Sequence, residues 1–117
     1  MDDLKIRQKT EEMIAYGYSA VAQFPRAERH VLSQEIRTTM WRLLRLIIQC
    51  NRRYFKKTTM QDVDTELDLL RSQVRIATEL GYLPFKRYEV WSRMLDEIGR
   101  MIGGWFKSLK RGAGEVV

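Results

Sequence analysis

The chain has 117 residues, a length that suits a single domain, and its 21 basic and 15 acidic side chains give a net charge of +6. No apolar run approaches the roughly 20 residues of a membrane span, and the acidic start of the chain is unlike a secretory signal. We therefore expect a soluble, cytoplasmic protein without a membrane partner, whose positive charge suits a polyanion or an acidic protein. Cys50 is the single cysteine, so an internal disulfide is excluded, and we expect it on a buried helix face.

Apolar periodicity and one proline divide the first half of the chain into two predicted helices. The first helix is predicted over about residues 3–23 and is weakened locally by Gly17. Because proline is tolerated in the first turn of a helix, Pro25 indicates the start of the second helix, which we expect over about residues 25–54. The apolar stripe of this second helix consists of Val31, Leu32, Ile36, Met40, Leu43, Leu44, Ile47 and Ile48.

Two further helices are predicted in the second half. The third helix is predicted to start near Thr58 or Thr59, and Thr58 and Gln61 have the spacing of a capping box. It ends before Gly81, a residue type that favours the left-handed conformation found after a last helical turn. Pro84 then indicates the start of the fourth helix, which we expect over about residues 84–110.

These elements together predict the fold class. Four helices of roughly 20 to 30 residues with short loops indicate an all-α, up-down-up-down four-helix bundle over residues 1–111. Residues 112–117 have no apolar periodicity and are predicted to form a disordered C-terminal tail. The residues that we expect to be buried in the core are Leu44, Ile47, Leu67, Leu70, Ile98 and Trp105.

The sequence contains no recognisable catalytic or metal-binding arrangement. A di-metal site in a helical bundle uses Glu-x-x-His pairs, whereas His30 is the only histidine and has no glutamate three residues before it. No Cys-x-x-Cys pair suits zinc, and no glycine-rich loop follows a strand pattern. We expect His30 at the surface and Cys50 without a partner base. The chain is therefore interpreted as a binding protein that is not an enzyme and needs no cofactor.

Basic side chains recur on the predicted helices. Arg71 and Arg75 are one turn apart and share a helix face, while Arg93, Arg100 and Lys107 step by seven residues and form a ridge. Guanidinium groups suit phosphate, although the same arginines also fit an ordinary solvated face interleaved with acids. The candidate residues for contact with nucleic acid or a protein partner are Arg37, Arg45, Arg52, Arg53, Lys56, Lys57, Arg71, Arg75, Arg93, Arg100, Lys107, Lys110 and Arg111.

The fourth predicted helix carries more large apolar residues than one narrow core seam accommodates, and an exposed surplus is typical of an interface. It also contains Gly103 and Gly104, each of which costs roughly 0.5–1 kcal/mol relative to alanine in a helix. Two explanations stay open for these glycines, tight packing within one subunit and close approach between subunits. The candidate residues for an oligomer interface are Trp91, Met101, Gly103, Gly104, Trp105 and Phe106.

Several segments carry a resemblance to a known family. Asp96–Lys107 resembles the final-helix signature of the Avd-like four-helix bundle proteins, the accessory proteins of diversity-generating retroelements. Residues 23–29, with the sequence QFPRAER, resemble the start of that family's second helix. Residues 80–83 followed by residues 88–89 resemble its third loop, and the similarity extends over about residues 10–110. The family is related to bundle proteins encoded in 23S rRNA intervening sequences.

The resemblance, and not the composition, implies a specific function. It implies a homopentameric ring with a basic surface around a central channel, which binds a reverse transcriptase and its template RNA, with DNA as a second nucleic acid. The complex would copy the template into mutagenised cDNA. The alternative is a self-assembling structural bundle of the intervening-sequence type, without a polymerase partner. A neighbouring reverse transcriptase gene with a variable repeat would decide between the two.

Overall fold

The computed structural model describes the backbone of residues 3–52 and 57–116 and the side chains of residues 4–50 and 58–108. These residues form helices and connecting turns, with no strand among them. The four α-helices are α1 (Asp3–Val21), α2 (Leu32–Arg52), α3 (Lys57–Glu79) and α4 (Phe85–Val116).

Each helix packs against the next one in the chain, and α1 also packs against α4. Because short connections make consecutive helices antiparallel, this closed set of neighbours is an up-down-up-down four-helix bundle. The predicted all-α bundle is confirmed, while its assembly into a ring remains a prediction.

All six residues that we expected in the core are buried, namely Leu44, Ile47, Leu67, Leu70, Ile98 and Trp105. Ile47 and Leu70 are fully buried, and the least buried of the six, Leu44, exposes only 8% of its surface. Burying one large aliphatic side chain contributes about 1.5–3 kcal/mol, so the stripes account for much of the stability. The predicted rotational phase of α2, α3 and α4 is therefore correct.

The start of the second helix differs from the prediction. Pro25 precedes a short 3-10 turn over Arg26–Glu28, and α2 begins only at Leu32. Glu28 explains this start, since its Oε1 accepts a hydrogen bond from the backbone N–H of Leu32 at 3.3 Å. The placement of Val31 on the buried stripe is wrong, because Val31 precedes the helix and is 60% exposed.

The ends of α3 and α4 also refine the prediction. Thr58 lies inside the first turn of α3, so it does not occupy the cap position that a capping box requires. Gly81 follows α3 with a φ of 80°, as expected, and the N–H of Tyr82 donates to the carbonyl of Ala77 at 3.0 Å. Helix α4 continues to Val116, into the segment that the sequence predicts as a disordered tail.

Gly17 of α1 is tightly packed against side chains of α2 and α4. A Cβ atom there would lie 2.9 Å from Trp91 Cζ2 and would also overlap the side chain of Met40. Trp91 is fully buried, and its Nε1 donates to Met13 Sδ at 3.4 Å. At Gly103 a Cβ atom would meet no heavy atom within 4 Å. Tight packing inside one subunit is therefore the wrong explanation for Gly103, and it is the correct one for Gly17.

Candidate nucleic-acid and partner interface

Arg71 is held across the groove between α3 and α4. Its guanidinium forms an ion pair with Asp96, and its Nη2 donates to the carbonyl of Leu95 at 3.4 Å. The same Nη2 would lie 2.6 Å from a Cβ atom at Gly99, so this glycine leaves the space that the guanidinium occupies. Arg71 therefore has partners on α4 that a phosphate contact would have to replace.

Arg71 and Arg75 share a helix face, as the spacing predicts, and both line a small cleft of about 130 Å³ together with Asp96. Arg75 is exposed and takes part in none of the ion pairs found among the described residues. The surface next to this cleft also carries Asp64 and Asp68. The predicted arginine pair thus lies on a face of mixed charge, where Arg75 is the available cation.

The ridge of α4 is exposed along its whole predicted length. Arg93, Arg100 and Lys107 all point to solvent. The two acidic residues between them are engaged elsewhere, since Asp96 pairs with Arg71 and Glu97 lies 3.5 Å from Lys9 Nζ of α1. This outer face of α4 therefore presents positive charge whose acidic neighbours already have partners.

The described arginines of α2 differ in their surroundings. Arg42 Nη1 lies 3.5 Å from Glu66 Oε1 of α3. Arg37 donates a hydrogen bond from Nη2 to the carbonyl of Arg29 at 3.1 Å. Arg45 is exposed and belongs to none of the ion pairs of the described chain. Among these three arginines, Arg45 is therefore the one with its guanidinium available on the outer surface.

Part of the predicted basic set cannot be placed. Arg53 and Lys56 lie outside the described residues. The side chains of Arg52, Lys57, Lys110 and Arg111 lie outside them as well, so all six positions stay predictions.

The predicted interface on α4 is corrected at three positions. Trp91 is fully buried, and Trp105 and Phe106 expose only 5% and 8% of their surfaces. These three rings are therefore accommodated within one chain and contribute little exposed apolar surface to α4. Of the other candidates, Met101 and Gly104 are partly buried and Gly103 is exposed.

Exposed apolar surface lies instead on two other faces. Between α1 and α2, Trp41 is 49% exposed and its Nε1 donates to Tyr18 Oη at 2.7 Å. A groove of about 260 Å³ beside it is lined by Trp41, Leu44, Arg45, Ile48 and Gln49, and we call it the Trp41 groove. On α3, Leu69 and Ile76 are two turns apart and are 41% and 48% exposed. We call these two residues with Leu80 the α3 strip.

Comparison with known proteins places the chain in a family. The model of the bAvd-like family matches residues 4–109, which is nearly the whole chain. The chain belongs to the bAvd-like family. No curated protein matches it. The predicted resemblance to Avd-like bundle proteins is thereby confirmed, and the match includes all three segments on which the resemblance was based.

The remaining candidates for chemistry in this bAvd-like chain are unreactive or isolated. Cys50 is buried as predicted, and its burial raises the pKa of the thiol, which keeps it protonated and a poor nucleophile. His30 is exposed, as expected. In the described ranges, no three side chains of His, Cys, Asp or Glu are grouped to hold a metal ion. None of the described helices combines the length and apolar character that crossing a membrane requires.

Proposed function

We propose that this bAvd-like chain is a non-enzymatic accessory protein of a diversity-generating retroelement. In this proposal it binds the reverse transcriptase and the template RNA, with DNA as a second nucleic acid, and supports mutagenic cDNA synthesis. The family match over residues 4–109 carries the proposal. The outward positive charge on α4 and α2 supports the nucleic-acid part, because affinity for RNA comes largely from phosphate contacts by Arg and Lys.

The proposed RNA surface consists of exposed cations that belong to none of the ion pairs in the described chain. These are Arg45, Arg75, Arg93, Arg100 and Lys107. Arg71 has a different role in this proposal: its pair with Asp96 removes an acidic charge from beside the ridge. Because these cations would contact phosphates and not base edges, we expect weak sequence preference and strong dependence on salt.

We further propose that the chain assembles as a homopentameric ring. The Trp41 groove and the α3 strip lie on different faces of one chain. Two different apolar faces suit a heterologous, head-to-tail contact, which gives a ring when the rotation closes. Light scattering tests the assembly, and a mass near the 13.9 kDa of one chain at micromolar concentration would overturn it. Ile76→Lys places a charge on the α3 strip, and we expect it to lower the measured mass.

RNA binding is tested by titrating a structured RNA between about 50 and 200 mM salt, a range over which several phosphate contacts change affinity strongly. The ridge variant Arg93→Gln/Arg100→Gln is compared, on an RNA with a 5′-hydroxyl end, with Arg26→Gln/Arg29→Gln, which removes the same charge from exposed positions before α2. We expect the ridge variant to weaken binding and to flatten the salt dependence, while the control behaves like the parent. Equal losses in both variants would show that only net charge matters.

The arginines of α3 provide a finer test of the same surface. Because Arg71 is paired with Asp96 and Arg75 is not, Arg75→Ala should weaken RNA binding more than Arg71→Ala. If Arg71→Ala has the larger effect while the oligomer stays intact, the ion pair opens on binding and this assignment of roles is wrong.

The polymerase partner is tested with a cognate reverse transcriptase. We expect the tagged chain to retain the polymerase and to increase its cDNA yield on a template RNA. If the chain assembles but binds neither RNA at low salt nor the polymerase, the proposed function fails. A structural bundle of the intervening-sequence type would then explain the family membership.

A further inference from the structure

A cleft of about 430 Å³ lies at the corner where the chain turns from α1 into α2. It contains three arginines, Arg26, Arg29 and Arg37, and its lining includes no acidic residue. Arg26 and Arg29 come from the QFPRAER segment, which the proposed function does not use. The remaining lining residues are Val21, Ala22, Phe24, Pro25 and Ser33.

The three guanidinium groups are not neutralised within the described chain. Arg26, Arg29 and Arg37 take part in none of its ion pairs. Arg37 donates from Nη2 to the carbonyl of Arg29 at 3.1 Å, a contact that fixes its position beside Arg29 without offsetting its charge. The cleft therefore concentrates positive charge in a concave site.

The three arginines are not needed as hydrogen-bond donors for the carbonyl groups at the C-terminal end of α1. A helix C-terminus leaves carbonyl groups that basic side chains often cap. Here the turn itself supplies the donors, because the N–H groups of Ala22 and Phe24 donate to the carbonyls of Tyr18 and Val21 at 3.1 and 3.0 Å. Helix capping therefore does not explain why cations gather at this corner.

Glu28 is the one acidic residue within the QFPRAER segment, and its carboxylate is engaged away from the cleft. Oε1 accepts from the N–H of Leu32, and Oε2 accepts from the Tyr82 hydroxyl at 2.9 Å. The hydrogen bond to Glu28, followed by burial and the nearby negative charge, raises the pKa of Tyr82. Both oxygens have donors, one on α2 and one on the α3–α4 turn, and Glu28 is not among the residues that line the cleft.

From this geometry we propose that the cleft binds a phosphate monoester. A carboxylate offers two oxygens, whereas a terminal phosphate offers three and carries up to two negative charges, which suits three guanidinium groups better. Ser33 is buried in the first turn of α2, where the helix end adds a favourable field for an anion.

The cleft is also large enough to hold part of the molecule to which the phosphate is attached. Small-molecule sites are typically about 300–1,000 Å³, so the cleft accepts a phosphate with a nucleoside attached. A free nucleotide and the 5′-phosphorylated end of an RNA strand present the same group. The inference goes beyond the proposed function and shares only Arg37 with its candidate residues, so neither depends on the other.

The test measures binding of adenosine 5′-monophosphate by titration calorimetry at low salt. The cleft variant Arg26→Gln/Arg29→Gln is compared with Lys86→Gln/Arg87→Gln, which removes two cations from outside the cleft. Both cleft positions are exposed, so we expect the variant to fold, and circular dichroism checks its helix content. Because hydrogen bonds to charged groups are strong, the cleft variant should lose at least about tenfold in affinity, and the control less than about twofold.

Short RNAs with a 5′-phosphate or a 5′-hydroxyl identify the carrier. A preference for the 5′-phosphate that disappears in the cleft variant identifies a strand end, whereas monophosphate binding without this preference identifies a free nucleotide. No monophosphate binding to the parent, equal losses in the control, or tighter binding of an acidic peptide would each overturn the proposal. The ridge variant Arg93→Gln/Arg100→Gln should keep monophosphate binding, so failure of the RNA surface and failure of the cleft are distinguishable.

Discussion

Gly17 of α1 and Gly103 of α4 have the same status in the sequence, since each interrupts an amphipathic helix, but their surroundings are opposite. Gly17 faces the buried side chains of Met40 and Trp91, and a Cβ atom there would overlap both. A Cβ atom at Gly103 would extend into open space. A glycine in a predicted helix therefore shows where the backbone is weak, but not where another element comes close.

Among substitutions near Gly17, Trp91→Ala should have the largest effect on stability. Trp91 is fully buried, and its indole packs against Gly17 and donates to Met13 Sδ. Removing the ring leaves a large cavity, so we expect the free energy of unfolding to fall by about 3–5 kcal/mol. Chemical denaturation at a fixed protein concentration measures this change. A loss below about 1 kcal/mol would show that the packing around Gly17 adapts easily.

Gly17→Ala should destabilise the protein by a smaller amount. Alanine contributes about 1 kcal/mol through its higher helix propensity. Overpacking against the rigid ring of Trp91, 2.9 Å away, opposes this with about 1–3 kcal/mol. Thermal unfolding should therefore show a lower midpoint than the parent. A raised midpoint would mean that Met40 and Trp91 move without penalty.

Gly103→Ala should have the opposite sign. The new methyl group meets no atom of the chain within 4 Å, so the higher helix propensity should stabilise the protein by roughly 0.5–1 kcal/mol. Light scattering on the same variant tests the explanation that remains open for this glycine, a close approach between subunits. A smaller mass would support that explanation, and a more stable protein of unchanged mass would exclude it.

Gly99→Ala should have the smallest effect of the series. Its Cβ atom would lie 2.6 Å from Arg71 Nη2, but the end of this side chain moves easily. Loss of the exposed pair with Asp96, worth about 0–1 kcal/mol, should nearly cancel the gain in helix propensity. In an Asp96→Asn background only the gain should remain, and a double-mutant cycle measures the difference. If Gly99→Ala strongly destabilised both the parent and the Asp96→Asn variant, the new methyl group would clash with atoms other than the Arg71 side chain.

Apolar periodicity predicted the four helices and their buried faces, because side chains that repeat at helical spacing lie on one side of a helix. It predicted the burial of Trp105, but it did not predict that Phe106 also fits inside one chain. Periodicity gives the direction of a side chain, whereas the width of the core depends on how far apart the helices pack. The same limit applies to Trp41, whose position off the α2 stripe was the available signal for exposed apolar surface.

The proline rule did not predict the start of α2, because a side chain of the preceding turn contacts the first residue of that helix. Pro25 is compatible with a helix start, but the carboxylate of Glu28 determines where α2 begins and leaves Val31 outside. The charges of the cleft were visible in the sequence, but their convergence was not. Arg26 and Arg37 are brought together only by the path of the turn between α1 and α2.

The hydrogen bond between Glu28 and Tyr82 also has a consequence for the order of folding. It joins residues 54 apart in sequence, so we expect it to close only after α2 and α3 have paired and brought their distant ends together. An interaction that forms after the rate-limiting step stabilises the native state without helping the chain to reach it. Tyr82→Phe should therefore accelerate unfolding and leave the refolding rate almost unchanged, which makes this corner a determinant of how long the folded bundle persists.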